Sequence, residues 1–280
     1  MYDFYKEDNY IIKYLLRYLI RKNNIIHIKN KSPKFLILNQ DYVSMDILID
    51  GYYEIKELKV LFKWLKNKIK FNNVIDAGAY LGNHSVYFSN FFKKVISFEP
   101  NPYSYELLKL NTKQKKNIKI YNAGLSDKNC TKDFYNYELN HGGSSVIKNK
   151  EVPHTKHKAK FYNFDKLNLK KKIDLVKIDV EGDELNVLKG MEKTLKSSNP
   201  IIIFECQKNE IFDGTSSVIK FLKSRDYNKF YSIENYQSTN VTIFHKLIYI
   251  IKFMFLSRKK YVVKKDKFES KFYSFIIAEK

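Results

Sequence analysis

The segment that most constrains the fold is a short apolar run followed by a glycine turn and an apolar helix. Two apolar residues precede Asp76, as in a strand that is covered on both faces of a sheet. The spacing Asp76-x-Gly78-x-x-x-Gly82 follows, and residues 84–92 then have an apolar helical pattern. A strand, a glycine turn and a helix form the unit that brings backbone N–H groups against a nucleotide-like ligand.

The acid in this motif favours a cationic ligand. A pyrophosphate site usually has the spacing G-x-G-x-x-G and does not begin with an acid. Asp76 therefore suits a positively charged cofactor, and S-adenosylmethionine carries both a sulfonium and an ammonium group. Gly78 permits a tight turn because a Cβ there would collide with the ligand. A purely structural turn is the alternative. The predicted cofactor-binding residues of this motif are Asp76, Gly78, Ala79, Gly82, Asn83 and Ser85.

Composition argues against nucleic acid as the partner. The 280 residues carry a formal charge of +21, but nearly all of the positive charge is lysine. A surface that recognises bases is expected to use more arginine, which makes bidentate contacts. The abundant lysine, tyrosine and phenylalanine fit a general compositional bias and a solvated lysine surface. The two cysteines, Cys130 and Cys206, lack metal-ligand spacing and fit a reducing cytoplasm.

The N-terminal region lacks the features of a secretory signal, and no apolar run is long enough to span a bilayer. Residues 9–22 are predicted to form an amphipathic helix with Lys13, Arg17 and Arg21 on one stripe. Such a helix usually packs on its own domain or on a partner subunit, so a homodimer is one expectation. Peripheral contact with a membrane surface is the other. The predicted location is the cytoplasm, with or without this membrane contact.

The order of elements predicts an α/β fold. Residues 1–56 form an N-terminal extension, with a helix and a small hairpin at 34–49, and residues 57–280 form the main domain. The predicted strands are 74–76, 95–98, 118–121, 173–178, 201–204, 229–233 and 272–277. The predicted helices are 57–69, 84–92, 103–114, 183–196 and 216–224. This alternation gives a mostly parallel, Rossmann-like sheet with helices on both faces. Residues 148–160 are expected to be a solvated loop, and residues 234–271 an insertion before the last strand.

Polar residues follow several strands where a ligand is expected to bind, beyond the carboxyl ends of a parallel sheet. Glu99 lies about twenty residues after the glycine turn, where an acid accepts hydrogen bonds from both ribose hydroxyls. Asp179 and Glu205 end the fourth and fifth strands. The predicted cofactor-binding residues at these strand ends are Glu99, Pro100, Asn101, Asn122, Ala123, Leu125 and Asp179.

Three segments together resemble the FkbM family of S-adenosylmethionine-dependent methyltransferases. They are residues 74–82, residues 98–102, and residues 177–184 with Leu188-Lys189-Gly190. Gly142-Gly143-Ser144-Ser145 also resembles a small-residue segment of that family. The resemblance implies a class I methyltransferase sheet of seven strands, the last one antiparallel. It also implies methyl transfer to oxygen, commonly on a sugar or another secondary metabolite, with Asp179 near the reactive methyl.

An alcohol is a weak nucleophile, so a general base is expected. Asp179 is the first candidate, followed by Glu181, Glu205 and His141, whereas His84 is interpreted as a capping or packing residue. A metal is not predicted, although the three carboxylates could together hold Mg²⁺. The expected acceptor is a small molecule or glycan, with nucleic acid unlikely. An RNA methyltransferase that uses the lysine surface and a binding module without catalysis are the alternatives.

Overall fold

The computed structural model of the protein describes residues 10–38, 41–137, 144–147, 153–169, 171–235 and 259–280. The helices in these residues are α1 (Tyr10–Lys29), α2 (Tyr42–Asp50), α3 (Ile55–Leu65), α4 (Asn83–Phe88), α5 (Pro102–Thr112), α6 (Glu184–Lys189), α7 (Glu192–Ser198) and α8 (Ser217–Lys223). The strands are β1 (Asn73–Ala77), β2 (Lys94–Phe98), β3 (Ile118–Tyr121), β4 (Gly124–Leu125), β5 (Cys130–Tyr137), β6 (His154–Tyr162), β7 (Leu175–Ile178), β8 (Ile201–Cys206), β9 (Lys229–Asn235), β10 (Lys260–Lys264) and β11 (Tyr273–Glu279).

The main sheet has eight strands in the order β10-β9-β11-β8-β7-β1-β2-β3. Strands β3, β2, β1, β7 and β8 are parallel, and β11 pairs antiparallel with both β8 and β9. Apolar clusters cover both faces of the sheet, one including Ile75 and Val176 and the other Val74 and Leu175. Because neighbouring residues of a strand point to opposite faces, a sheet buried on both sides needs continuous apolar runs. This requirement is why the central strands were recognisable in the sequence.

The prediction of seven strands in this sheet is wrong, because β10 adds an eighth. Each of the seven predicted strands is present, and the antiparallel last strand is confirmed. Strand β10 lies within residues 234–271, which were expected to be only an insertion, and it pairs antiparallel with β9 at the edge of the sheet. Lys260 and Lys264 flank its short apolar centre. A short edge strand bordered by lysine resembles a solvated connection in sequence.

A second sheet corrects the prediction of a solvated loop over residues 154–160, whereas residues 148–152 of that prediction lie outside the described residues. Strands β5 and β6 pair antiparallel over eight residue pairs, and β4 joins the other edge of β6. Alternate residues of β6 are buried, including Ala159 and Phe161, while the lysines between them face outward. The lysines dominated the sequence pattern of this strand, although only one of its faces is solvated.

The hairpin predicted at residues 34–49 is also wrong. Residues 32–38 are extended but unpaired in a sheet, and α2 occupies the second apolar run. Asp41 caps α2, since its Oδ2 accepts a hydrogen bond from the N–H of Ser44 at 2.9 Å. Gly51 ends the helix with φ +80°. These two residues are the helix boundary signals that outweigh the strand-like run between them. None of the described helices is long and apolar enough to cross a bilayer.

Candidate active site

A cavity of about 290 Å³ opens beyond the carboxyl ends of β1, β2, β7 and β8. Its walls come from the turn after β1, the exits of the other strands, the second sheet and the N-terminal region. The residues that line it are Tyr42, Val43, Tyr53, Glu54, Gly78, Ala79, Tyr80, Asn83, His84, Glu99, Pro100, Gly124, Leu125, Phe134, Ser144, Val146, Phe161, Lys177, Asp179, Val180, Glu181, Asp183 and Glu205. The cavity lies where ligands bind on sheets of this topology.

The glycine turn leaves no room for a side chain at Gly78. This residue has φ +78°, and a Cβ placed on it would lie 1.7 Å from the carbonyl oxygen of Asp179. The N–H groups of Gly78 and Ala79 both donate to the carbonyl of Phe98 at 3.0 Å. The exits of β1, β2 and β7 are therefore held in contact, and only glycine fits between them. The sequence predicted close approach of a ligand at Gly78, whereas the atom that a Cβ would meet here is the backbone oxygen of Asp179.

Glu99 is held rigidly at the cavity wall. Its Oε2 accepts a hydrogen bond from the N–H of Tyr80, and its Oε1 accepts one from the N–H of Asn101, both at 2.8 Å. Burial raises the pKa of Glu99 to about 7, although these two backbone hydrogen bonds act to lower it. Each carboxylate oxygen keeps a further acceptor position. A fixed carboxylate of this kind suits a pair of neighbouring hydroxyls, such as those of a ribose.

Asp76 lies beneath the turn and does not line the cavity. It is fully buried, and its Oδ2 accepts a hydrogen bond of 2.6 Å from the hydroxyl of Ser85. Its Oδ1 lies 3.4 Å from Nζ of Lys177. Ser85 also shares a hydrogen bond of 2.7 Å with Ser97 on β2. Asp76 and Ser85 therefore tie β1, β2, β7 and α4 together under the site.

Lys177 is a central residue of the site that the sequence argument missed. Its ammonium lies 3.1 Å from Oδ2 of Asp179 and donates to the carbonyl of Gly78 at 2.9 Å. Burial acts to lower the pKa of Lys177, but the charges of Asp179 and Asp76 raise it well above its ordinary value. Lysine is rarely buried without a partner. A lysine within the apolar run of β7 was the sequence signal that could have identified it.

Three carboxyl groups meet at the mouth of the cavity. One oxygen each from Asp179, Glu181 and Glu205 lies within 4.8 Å of the others. Burial, followed by the charges of Asp179 and Glu184, raises the pKa of Glu181 to about 8. Burial, followed by Asp179 and Glu181, raises the pKa of Glu205 strongly. The structure thus brings together three of the four predicted catalytic residues. His141, the fourth, lies outside the described residues.

The N-terminal region supplies a fourth acid, which sequence reasoning did not identify. Oε2 of Glu54 lies 3.2 Å from Nε2 of His84, and both residues line the cavity. The Asn83 side chain accepts a hydrogen bond from the N–H of Tyr53 at 3.0 Å and donates to its carbonyl at 3.1 Å. His84 is therefore part of the cavity wall as well as a packing residue. Glu54 is 30 residues away in sequence, and no local pattern links it to His84.

The remaining predicted residues divide into two groups. Ala79, Asn83, Pro100 and Leu125 line the cavity. The residues that lie behind the wall and do not line it are Gly82, Asn101, Asn122 and Ala123. Asn101 caps α5, and Asn122 donates to the carbonyl of Glu99 at 3.0 Å, so both support the wall. Ser145 donates to the carbonyl of Glu181 at 2.7 Å and brings residues 144–147 against the site.

A scan against protein-family models matches residues 76–229 of this chain to the methyltransferase FkbM domain, which is more than half of its length. The chain belongs to the FkbM methyltransferase family. It is therefore a methyltransferase, and its methyl donor is S-adenosylmethionine. No curated protein matches it.

The solved structures that are similar to this chain have low sequence identity to it. A precorrin-6y C5,15-methyltransferase from Geobacter metallireducens is 14% identical, with a TM-score of 0.43, covering 81% of this chain and 89% of that one. An FkbM methyltransferase from Methylobacillus flagellatus is 15% identical, with a TM-score of 0.41, and covers 70% of this chain and 50% of that one. An rRNA methylase from Streptococcus thermophilus is 11% identical, with a TM-score of 0.41, covering 79% of this chain and 95% of that one.

The residues of the site fit this methyl donor. Gly78 lines the cavity in a turn that has no room for a Cβ, and Glu99 presents a fixed carboxylate at the wall. Leu125 and Phe161 provide an apolar surface suited to a flat aromatic base. Asp179 and the acidic side chains next to it, Glu181 and Glu205, favour a ligand with a positive charge, such as a sulfonium nucleoside. We therefore assign cofactor contact to Gly78, Glu99, Leu125 and Asp179.

Proposed function

We propose that this FkbM-family protein methylates a hydroxyl oxygen of a sugar, glycan or related metabolite. The observation that supports the proposal is the acidic mouth of the cavity, formed by Glu54, Asp179, Glu181 and Glu205. Proton acceptors are therefore placed beside the site for the methyl donor. A hydroxyl needs such an acceptor, because an alcohol is a weak nucleophile until its proton is removed.

The side chains at the mouth have different roles in this proposal. When bound, S-adenosylmethionine supplies an activated methyl carbon for in-line attack by an oxygen. Lys177 fixes the position of Asp179, whose charge raises the pKa of Glu181 and Glu205. A pKa of about 8 places Glu181 near the optimum for a general base at neutral pH. We assign proton removal to Glu181, with Asp179 orienting the acceptor and Glu205 donating a hydrogen bond in its protonated form.

The same charge distribution argues against an RNA acceptor. Phosphate groups would approach Glu54 and Asp179 at the mouth of the cavity, and a carboxylate repels a phosphate strongly where solvent is scarce. The net charge of +21 favours RNA binding to the outer surface, so this competing function needs a direct test.

The N-terminal extension, residues 1–56, contributes Tyr53 and Glu54 to the cavity wall. This part of the wall is where we propose that the acceptor binds.

The test is transfer of labelled methyl from S-adenosylmethionine to separate pools of neutral sugars, extracted glycans, lipid-linked glycans and total RNA. We expect label in a hydroxyl-bearing carbohydrate pool. Glu181→Gln should lower the rate by about 10²–10⁴-fold while S-adenosylhomocysteine binding is retained. Glu106→Gln, which changes an exposed acid of α5, should leave the rate unchanged. Label in RNA alone would replace the proposal with RNA methylation.

Activity should survive chelation of divalent ions. Glu181 and Glu205 have raised pKa values, and a protonated carboxyl is a poor metal ligand. We therefore expect the same rate in excess EDTA and in Mg²⁺. A rate that falls with EDTA and returns with Mg²⁺ would show that Asp179, Glu181 and Glu205 act as a metal site instead.

A further inference from the structure

Helix α1 exposes a large apolar surface that the methyltransferase site does not explain. Every residue from 12 to 22 is exposed, although many of them are large and apolar. The exposed fraction of Ile12 is 56%, that of Leu15 is 53% and that of Leu19 is 50%. Contiguous exposed apolar side chains in a folded protein mark an interaction surface. The apolar stripe of α1 consists of Ile12, Leu15, Leu16, Leu19 and Ile26, which follow helical spacing.

The charges of α1 are all positive. The 20 residues from Tyr10 to Lys29 contain no aspartate or glutamate. Arg17 and Arg21 lie one turn apart on the side opposite the apolar stripe, and Lys22 and Lys29 lie along its edge. Nearly all of the other basic residues of the chain are lysines, yet this single helix carries two arginines. An apolar stripe flanked by cations complements a surface that is apolar inside and anionic outside.

The helix is attached to the active-site wall at its C-terminal end. The side chain of Asn23 donates to the carbonyls of Leu48 and Ile49 at 2.8 and 3.1 Å. The ring Nε2 of His27 is 3.1 Å from each of the same two carbonyls. Both carbonyls belong to α2, and the first turn of α2 lines the cavity. The position of α1 is therefore linked to the entrance of the active site.

We propose that α1 lies on the surface of an anionic lipid bilayer. Its apolar stripe enters the boundary between headgroups and acyl chains, and Lys22 and Lys29 at the edge of the stripe contact the lipid phosphates. A second copy of this chain fits less well, because two such helices would bring their cations together without acids to pair with them. The docking does not depend on which hydroxyl the enzyme methylates. It places the cavity next to lipid-linked acceptors.

The test is co-sedimentation of the full chain with two kinds of vesicle, phosphatidylcholine alone and equal parts phosphatidylcholine and phosphatidylglycerol. We expect binding to the anionic vesicles that weakens with salt, and little binding to the neutral ones. Leu15→Ser with Leu19→Ser should reduce the binding about tenfold or more without changing the charge. Lys22→Glu with Lys29→Glu should abolish it.

The matched control is Lys113→Glu with Lys116→Glu, which makes the same charge change at exposed positions after α5. This pair should retain most of the vesicle binding. Binding of S-adenosylhomocysteine and the circular dichroism spectrum should be unchanged in all three variants, which shows that they fold. Equal losses in the control and in the α1 lysine variant would indicate non-specific adsorption and overturn the proposal. The proposal would also be overturned if the protein did not bind vesicles at all. A wild-type dimer that dissociates in the Leu15→Ser with Leu19→Ser variant would overturn it as well.

Discussion

Nε2 of His84 lies 3.2 Å from Oε2 of Glu54, and this contact completes the active-site wall from a distant part of the chain. His84 is the second residue of α4, which directly follows the glycine turn, whereas Glu54 precedes α3. Glu54 has φ +55°, a left-handed conformation that costs free energy in a residue with a Cβ. The part of the cavity wall beside the glycine turn is therefore formed by the N-terminal region, which lies outside the family match at residues 76–229. This region is where we expect acceptor specificity to be determined.

Gly78→Ala should abolish cofactor binding. The new Cβ would overlap the carbonyl oxygen of Asp179, and the backbone cannot move without separating β1 from β7. We expect at least about a 100-fold loss of S-adenosylhomocysteine affinity by calorimetry, with about 1–3 kcal/mol of backbone strain in the unfolding free energy. Gly214→Ala is the control, because Gly214 also has φ +78° but faces the flexible side chain of Lys267. Equal affinities of the wild type and Gly78→Ala for S-adenosylhomocysteine would contradict cofactor contact at this turn.

Glu99→Gln should weaken cofactor binding without unfolding the protein. An amide keeps the shape of the side chain but has one acceptor oxygen in place of two, and it loses the charge. Hydrogen bonds to a charged group contribute about 1.5–3 kcal/mol, so the affinity for S-adenosylhomocysteine should fall about 10–150-fold. Glu106→Gln at an exposed position should have no effect. An unchanged dissociation constant in the Glu99 variant would exclude ribose contact.

Lys177→Met should destabilise the fold. The methionine fills similar space but leaves the buried charge of Asp76 and the charge of Asp179 without their cation. Breaking a buried ion pair by removing one partner costs about 3–5 kcal/mol, measurable by urea denaturation. Lys109→Met removes an exposed pair with Glu106 and should cost less than about 1 kcal/mol. If the two variants lost equal stability, Lys177 would not be holding the turn.

Glu205→Gln should stabilise the protein more at pH 8 than at pH 5. Burial and the neighbouring acids raise the pKa of Glu205 in the folded state above its ordinary value of 4.5. The unfolded chain therefore ionises first, and the wild type loses unfolding free energy as the pH rises above about 4.5. Glutamine does not titrate, so it removes this loss. Thermal unfolding at the two pH values measures the difference.

Glu279→Gln is the control, because its effect on the free energy of unfolding should have the opposite sign to that of Glu205→Gln. Burial acts to raise the pKa of Glu279, but hydrogen bonds from Lys68 and Tyr231 lower it overall. Its stabilising contribution is present above its unfolded pKa of about 4.5 and is lost at lower pH, so this variant should be less stable than the wild type at both pH 5 and pH 8, with a difference that shrinks only below about pH 4.5. A stability difference between wild type and Glu205→Gln that stays constant with pH would show that Glu205 titrates normally.

The cofactor half of the site could be predicted because its residues lie beside their own strands. Gly78 and Glu99 follow β1 and β2 directly, and strand exits of a parallel sheet meet at one edge. Asp76 was predicted as a mouth residue by the same rule, but it lies beneath the turn with Lys177 and Ser85. Sequence spacing gives the strand at which a residue emerges, and it does not give the side of the turn to which the carboxylate points.

The sequence alone determined the parallel strands of the main sheet and its glycine turn, because strands buried on both faces need apolar runs and a turn without room for Cβ needs glycine. These requirements are local and leave a visible pattern. Tertiary structure alone decided the pairing of Glu54 with His84, the burial of Lys177 between two carboxylates and the exposure of α1. Each of these depends on which distant segments come together. A contact between distant segments produces no periodic pattern in the sequence from which it could be predicted.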